Sequence, residues 1–111
     1  MKSIKNILKE IKDLELHRKN LDSSVIDFEV LKDTYYTTPK SVRFCNAIIV
    51  EAYKEIEIAS KKIGELKTLL AFDNARQSGL KVEDYMFMYT LKNIDYFKNI
   101  VTRKYEGVSS K

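Results

Sequence analysis

Residues 38–70 read TPKSVRFCNAIIVEAYKEIEIASKKIGELKTLL, and this stretch decides the fold. Apolar residues recur in it at alternating steps of three and four along four heptads. They are Val42, Cys45, Ile49, Ala52, Ile56, Ala59, Ile63, Leu66 and Leu70. This spacing keeps the side chains on one face of a helix. The stretch therefore predicts a long helix with one continuous buried face.

The ends of this helix have their own signals. Thr38 can cap the first turn, and Pro39 suits the first helical position because its fixed φ matches the helix and its missing N–H is not needed there. Ser78 and Gly79 form a stop signal, since glycine readily adopts the left-handed conformation that ends many helices. Gly64 lies off the apolar face and costs about 1 kcal/mol relative to alanine without ending the helix. The prediction is a helix over residues 39–77.

The N-terminal segment shows the same alternation of three and four. Its apolar positions are Ile4, Ile7, Ile11, Leu14, Leu21, Val25 and Phe28. Arg18 fills the one skipped place, and Ser3 can cap the start. The spacing predicts a first helix over residues 3–33. Cap-forming residues at 22–24 leave a break there open, whereas the unbroken phase of the apolar positions favours one continuous helix.

The segment 81–105 is apolar and aromatic over more than a third of a helical circumference. Acidic residues come at its start, and Arg103 and Lys104 come at its end, which matches the dipole of a helix. We therefore expect a third, aromatic-rich helix over 81–105 that buries two sides. Residues 106–111, with Gly107, Ser109 and Ser110, are expected to form a frayed tail.

Length and composition place these elements in one all-α domain. The chain has 111 residues, of which 44% are hydrophobic and 32% charged, a composition that folds. With 3 glycines and 1 proline it lacks the turn signals of an all-β fold. We expect residues 1–111 to form an antiparallel, coiled-coil-like hairpin with the third helix packed on it. The long apolar face then predicts self-association into a dimeric helical bundle.

The cellular location is inferred from cysteine content and hydropathy. One cysteine cannot form an intramolecular disulfide, and no stretch approaches 18 apolar residues. Charged residues run through the first 20 positions, where a signal peptide would be apolar. We therefore expect a cytoplasmic protein with no membrane association. The abundance of Lys, Ile, Asn, Tyr and Phe is typical of AT-rich coding and suggests a phage or mobile-element origin.

The sequence contains no recognisable catalytic or metal-binding motif. His17 is the single histidine and is expected on the surface, while Cys45 lies on the apolar face of the second helix as a core residue. There is no G-x-S-x-G nucleophile motif and no glycine-rich phosphate loop. The carboxylates of the second helix are spaced as partners of lysines on a solvated face. We expect no enzyme activity, no metal and no cofactor.

The leading functional hypothesis is a non-catalytic interaction protein, acting as a regulator, adaptor or inhibitor that binds a protein partner and forms a homodimer. Tyrosines in the loop between the helices and the aromatic third segment carry it, because tyrosine is enriched at binding hot spots. The candidate interface residues are Tyr35, Tyr36, Tyr85, Met88, Tyr89, Tyr96 and Phe97.

Nucleic-acid binding is the alternative hypothesis. The formal net charge is +4, and basic residues lie opposite the apolar faces of the first two helices, where they could meet phosphates. The candidates are Lys2, Lys5, Lys9, Lys12, Lys19, Lys40, Arg43, Lys54 and Lys61. These are also the positions where lysine commonly serves solubility, and the chain has no polybasic arm. Both hypotheses stay open on the sequence alone.

Overall fold

The computed structural model describes residues 3–110 and contains both helices and strands. In chain order the elements are α1 (Ile4–Thr34), α2 (Pro39–Gln77), a 3₁₀ turn (Val82–Asp84), β1 (Tyr85–Leu91), β2 (Ile94–Asn99) and β3 (Tyr105–Ser109). Two compact units are present, one up to Gly64 and one from Glu65 onward, and the boundary falls inside α2. The fold is therefore mixed, with two long helices and one antiparallel sheet.

The all-α prediction is wrong. The segment 81–105, predicted as a third helix, forms β1, β2 and the start of β3, and the helical bundle built on it is wrong as well. The predicted frayed tail, 106–111, contains most of β3, although Lys111 itself lies outside the described residues. The segment is rich in apolar and aromatic residues, but these residues form strands and not a helix.

A two-residue turn explains why this segment is not helical. Lys92 and Asn93 have φ of 51° and 63°, both in the left-handed region. Positive φ at both central residues is the requirement of a type I′ turn, whose twist matches that of the strands on either side. A right-handed helix cannot pass through two such residues, because its backbone needs negative φ. The chain therefore reverses here, and β2 pairs antiparallel with β1.

Side-chain hydrogen bonds cap the starts of both helices. The backbone N–H of Asn6 donates to Ser3 Oγ at 3.2 Å, and that of Ser41 donates to Thr38 Oγ1 at 3.2 Å. These bonds satisfy amides that have no partner inside the helix. α1 passes through residues 22–24 without a break, as the constant phase of its apolar positions favours.

A glycine ends α2 at the position that the sequence suggests. Gly79 has φ of 96°, and the N–H of Leu80 donates to the carbonyl of Ala75 at 3.0 Å. The N–H of Gly79 donates to the carbonyl of Arg76 at 3.1 Å. Together these two bonds define a Schellman motif, in which glycine supplies the left-handed residue.

Replacing the two glycines of this region by alanine is expected to have opposite effects. A Cβ at Gly64, inside α2, meets nothing within 4 Å, so Gly64→Ala should raise the free energy of unfolding by about 1 kcal/mol. Gly79→Ala should lower it by about 1 to 2 kcal/mol, because alanine resists positive φ. Urea unfolding followed by far-UV circular dichroism measures both. Changes of the same sign would contradict this account of α2.

The apolar face predicted for α2 is buried or half-buried along its whole length. Its buried members are Cys45, Ile49, Ala52, Ala59, Ile63 and Leu66. The remaining three, Val42, Ile56 and Leu70, are half-buried. Residues at alternating steps of three and four therefore do share one covered face, as the spacing predicts.

In the first unit, α1 and α2 pack antiparallel. Arg18 Nη1 donates to Ser60 Oγ at 3.2 Å, and Lys32 Nζ donates to Asn46 Oδ1 at 3.3 Å. The later residue of α1, Lys32, contacts the earlier residue of α2, Asn46, so the two helices run in opposite directions. The Glu29 carboxylate, 3.0 Å from Lys32 Nζ, accepts a hydrogen bond that raises the pKa of Lys32. Between these links lies an apolar cluster of Val25, Ile49 and Ala52, bordered by Leu21, Phe28 and Ile56.

In the second unit, the three strands pack one face onto the end of α2. The strand order is β1-β2-β3, and both pairings are antiparallel. Phe97 of β2 is fully buried at the centre, with its ring centroid 5.4 Å from that of Phe72 and 5.5 Å from that of Phe87. The buried core contains Ala71, Ala75, Val82 and Phe97, bordered by Phe72, Leu80, Tyr85, Phe87 and Val108.

Candidate interaction surface

The central strand β2 shows which residues face away from this core. Asp95 and Phe97 are buried, so they point inward toward α2. Because side chains alternate along a strand, Ile94, Tyr96 and Lys98 point to the other side of the sheet. Thr90 Oγ1 donates to the carboxylate of buried Asp95 at 2.5 Å, which gives the buried carboxylate a partner.

A bulge in β1 changes which of its residues face outward. Phe87 pairs with Phe97, and the next pair is Tyr89 with Tyr96, so Met88 is the extra residue. Without the bulge, Tyr89 would follow Phe87 to the inner face. With it, Tyr89 and Leu91 join Met86 on the outer side.

In β3, a glycine makes room for the outer side chains of β2. Gly107 pairs with Tyr96, and a Cβ added there would lie 3.0 Å from Ile94 Cγ2 and 3.5 Å from Tyr96 Cε1. Both side chains therefore rest over the glycine backbone. Tyr105 pairs with Lys98, whose Nζ lies 5.6 Å from the centroid of the Tyr105 ring.

We call the outward side of the sheet the outer face; it consists of Met86, Tyr89, Leu91, Ile94, Tyr96, Lys98 and Tyr105. The exposed fractions are 41% for Met86, 47% for Tyr89, 55% for Leu91 and 49% for Tyr105. The rings of Tyr89 and Tyr96 contact each other at a centroid distance of 5.1 Å. Lys98 is the single charged member, so this surface is apolar and aromatic with one cation.

Five of the seven predicted interface residues lie in the second unit, and they fall into two groups. Tyr89 and Tyr96 lie together on the outer face, and Met88 is exposed at the bulge beside them. Phe97 is fully buried and Tyr85 is half-buried against the same core, so these two serve packing.

Tyr35 and Tyr36 belong to the other unit. They follow the end of α1, and both are exposed, with 73% of Tyr35 accessible to solvent. The N–H groups of both residues donate to the carbonyl of Leu31, which closes the helix end. These tyrosines are therefore a separate exposed feature.

Sequence reasoning missed several members of the outer face, namely Met86, Leu91, Ile94, Lys98 and Tyr105. Residues 94–98 read IDYFK and show no alternation of apolar and polar residues, so their sequence carried no signal of a half-buried strand. The local signal of a hairpin was Lys92-Asn93 between two runs rich in aromatic and apolar residues, because asparagine tolerates positive φ.

Metal-binding groups and one cleft of the described residues bear on the question of chemistry. Within residues 3–110, no three or more His, Cys, Asp or Glu side chains are grouped so that they could hold a metal ion. A cleft of about 400 Å³ lies between the turn after α2 and β3, lined by residues 78–80 and 106–109. Glu106 is its one ionisable side chain, which leaves it without a second group for acid–base chemistry.

The basic residues proposed for nucleic-acid binding are exposed wherever the structure describes them. Lys5, Lys9, Lys12 and Lys19 lie on α1, and Lys40, Arg43, Lys54 and Lys61 lie on α2. Lys2 lies outside the described residues. Their exposure agrees equally with a solubility role, so nucleic-acid binding stays a prediction.

Comparison with protein-family models, curated proteins and solved structures finds no match to this chain. Neither α1 nor α2 has an apolar stretch that is long enough to cross a lipid bilayer.

Proposed function

We propose that this chain is a non-catalytic interaction protein that binds another protein through the outer face of its sheet. The observation that carries the proposal is the set of apolar and aromatic side chains that the strand register and the bulge place on one exposed side. Scattered exposed apolar residues are ordinary on proteins, but a contiguous group on one rigid sheet is typical of a binding site.

The composition of the outer face suits a protein partner. Tyrosine and methionine are enriched in protein interfaces, where they supply contact area at low entropic cost, whereas most charged residues are depleted. Contact between the rings of Tyr89 and Tyr96 restricts both side chains, which lowers the conformational entropy that they lose on binding. Lys98 stands beside Tyr105, where its charge can select the partner's orientation.

Nucleic acid suits this face less well, because one lysine among six apolar or aromatic residues provides little attraction for phosphates. The exposed lysines of α1 and α2 form the alternative surface. A salt titration of binding to duplex DNA and RNA tests it, since several phosphate contacts predict a steep loss of affinity with rising salt.

The proposed function predicts that truncating one outer-face tyrosine weakens partner binding and leaves the fold intact. Tyr89→Ala should lower affinity about tenfold or more, the effect of removing an interface anchor. Because Tyr89 is 47% exposed, the melting temperature should change little.

The partner is first captured by a photo-crosslinker placed at residue 89 of the full chain in its native host, and affinity is then measured with purified components. Ile58, 69% exposed on α2, is the matched control site for both the crosslinker and the alanine substitution. Equal crosslinking from both sites, or equal affinity of the Tyr89→Ala and Ile58→Ala variants, would contradict the proposal.

A further inference from the structure

We propose that β1 is the docking site for a second copy of this chain, with the two β1 strands paired antiparallel, edge to edge. The inference is independent of the proposed function, because it concerns the open edge of the sheet and not its outer face. Its starting point is the strand order, which leaves β1 hydrogen-bonded to β2 alone.

The edge formed by β1 has few of the features that prevent strand pairing. Its seven residues, YMFMYTL, contain no charge, no proline and no glycine. Free edges in monomeric proteins usually carry such residues, because exposed N–H and C=O groups recruit other strands. β3, at the opposite edge, is shorter and contains Glu106 and Gly107. Of the two edge strands, β1 is therefore better suited than β3 to pair with another strand.

Charges at the ends of β1 indicate that the strand pairing with it is β1 of a second copy in antiparallel orientation. Exposed Glu83 and Asp84 immediately precede the strand, and exposed Lys92 immediately follows it, while Lys81 lies farther away. Antiparallel pairing places the acidic end of each strand beside the basic end of its mate, which is favourable. Parallel pairing would place carboxylates beside carboxylates.

Bulges often protect an edge strand from pairing. In β1, however, the bulge places residues in the two halves of the strand so that an antiparallel copy can set outward residues opposite outward ones and inward residues opposite inward ones. Met86 and Leu91 point outward, whereas Phe87 and Thr90 point inward. An antiparallel mate can therefore set Met86 opposite Leu91 and Phe87 opposite Thr90, so that each pair shares one face of the sheet. A continuous six-stranded sheet results, with the two outer faces side by side.

The experiment measures the oligomeric mass of the full chain by sedimentation velocity over a wide concentration range. The wild type should dimerise, and Met88→Lys should weaken dimerisation about tenfold or more, because a lysine on an edge strand opposes pairing. Val101→Lys, at a position 85% exposed in the turn after β2, is the matched control and should dimerise like the wild type. Circular dichroism establishes that each variant is folded.

A charge exchange gives the second, more specific test. Lys92→Glu and Asp84→Lys should each weaken the dimer about tenfold, and the double variant should recover part of the lost affinity, because positions 84 and 92 again carry opposite charges while Glu83 keeps its own. A monomeric wild type, a dimer insensitive to Met88→Lys, equal loss with Val101→Lys, or a double variant no better than the single ones would each overturn the inference.

Discussion

Replacing Phe97 by alanine is expected to lower the free energy of unfolding of the second unit by about 3 to 5 kcal/mol. Phe97 is fully buried, and its ring lies against Phe72 of α2 on one side and Phe87 of β1 on another. Its removal leaves a cavity between helix and sheet that small neighbours such as Ala71 and Ala75 cannot fill. Loss on this scale is a large part of the stability of a small domain.

The measurement is amide hydrogen exchange along β1 and β2, combined with denaturant unfolding. Exchange in these strands should become faster by orders of magnitude, because it follows the free energy of opening. Phe44→Ala is the matched control, since Phe44 is 61% exposed and its truncation should change stability by less than about 0.5 kcal/mol. Equal effects of the two substitutions would contradict the central place given to Phe97.

The helices could be predicted from sequence because local spacing and packing agree there. The alternation of three and four holds from Val42 to Leu70, and it is matched by burial along the whole face. The ends of α2 are set by single residues, because Thr38 caps its first turn and Gly79 supplies the left-handed residue that ends it. Such signals act within a few residues and need no knowledge of distant contacts.

The sheet could not be predicted in the same way, because an apolar run alone does not distinguish a strand from a buried helix. Residues 85–91 show no strict alternation, since the extra residue Met88 interrupts the period. The left-handed turn at Lys92 and Asn93 was the local signal that could have decided the question. Strand pairing itself is a long-range property that a sequence pattern shows only indirectly.

The candidate site was predictable only in part, for the same reason. Tyrosines were chosen as residues suited to binding, and two of them, Tyr89 and Tyr96, meet on the outer face; their role in binding stays a prediction. Phe97 was chosen by the same criterion and proved to be the centre of the core. Which face a residue takes in a strand depends on parity, and a single bulge reverses it for every residue that follows.

The second large effect is expected in the helical hairpin of the first unit. Ile49→Ala should lower its free energy of unfolding by about 2 to 5 kcal/mol. Ile49 is 5% exposed and lies in the cluster with Val25 and Ala52, so its truncation removes buried apolar contacts and leaves a cavity. Ile49 packs against the C-terminal half of α1, so its truncation should also reduce the cooperativity with which the two helices unfold.

Ile58→Ala provides the control on the same helix with the same chemical change. Ile58 is 69% exposed, and its truncation should change stability by less than about 0.5 kcal/mol. Helix propensity favours alanine over isoleucine equally at both positions, so the difference between the two variants isolates the packing term. Far-UV circular dichroism during urea unfolding measures that difference. Similar midpoints for both variants would mean that the apolar face of α2 contributes little to stability, and the account of the hairpin would then be wrong.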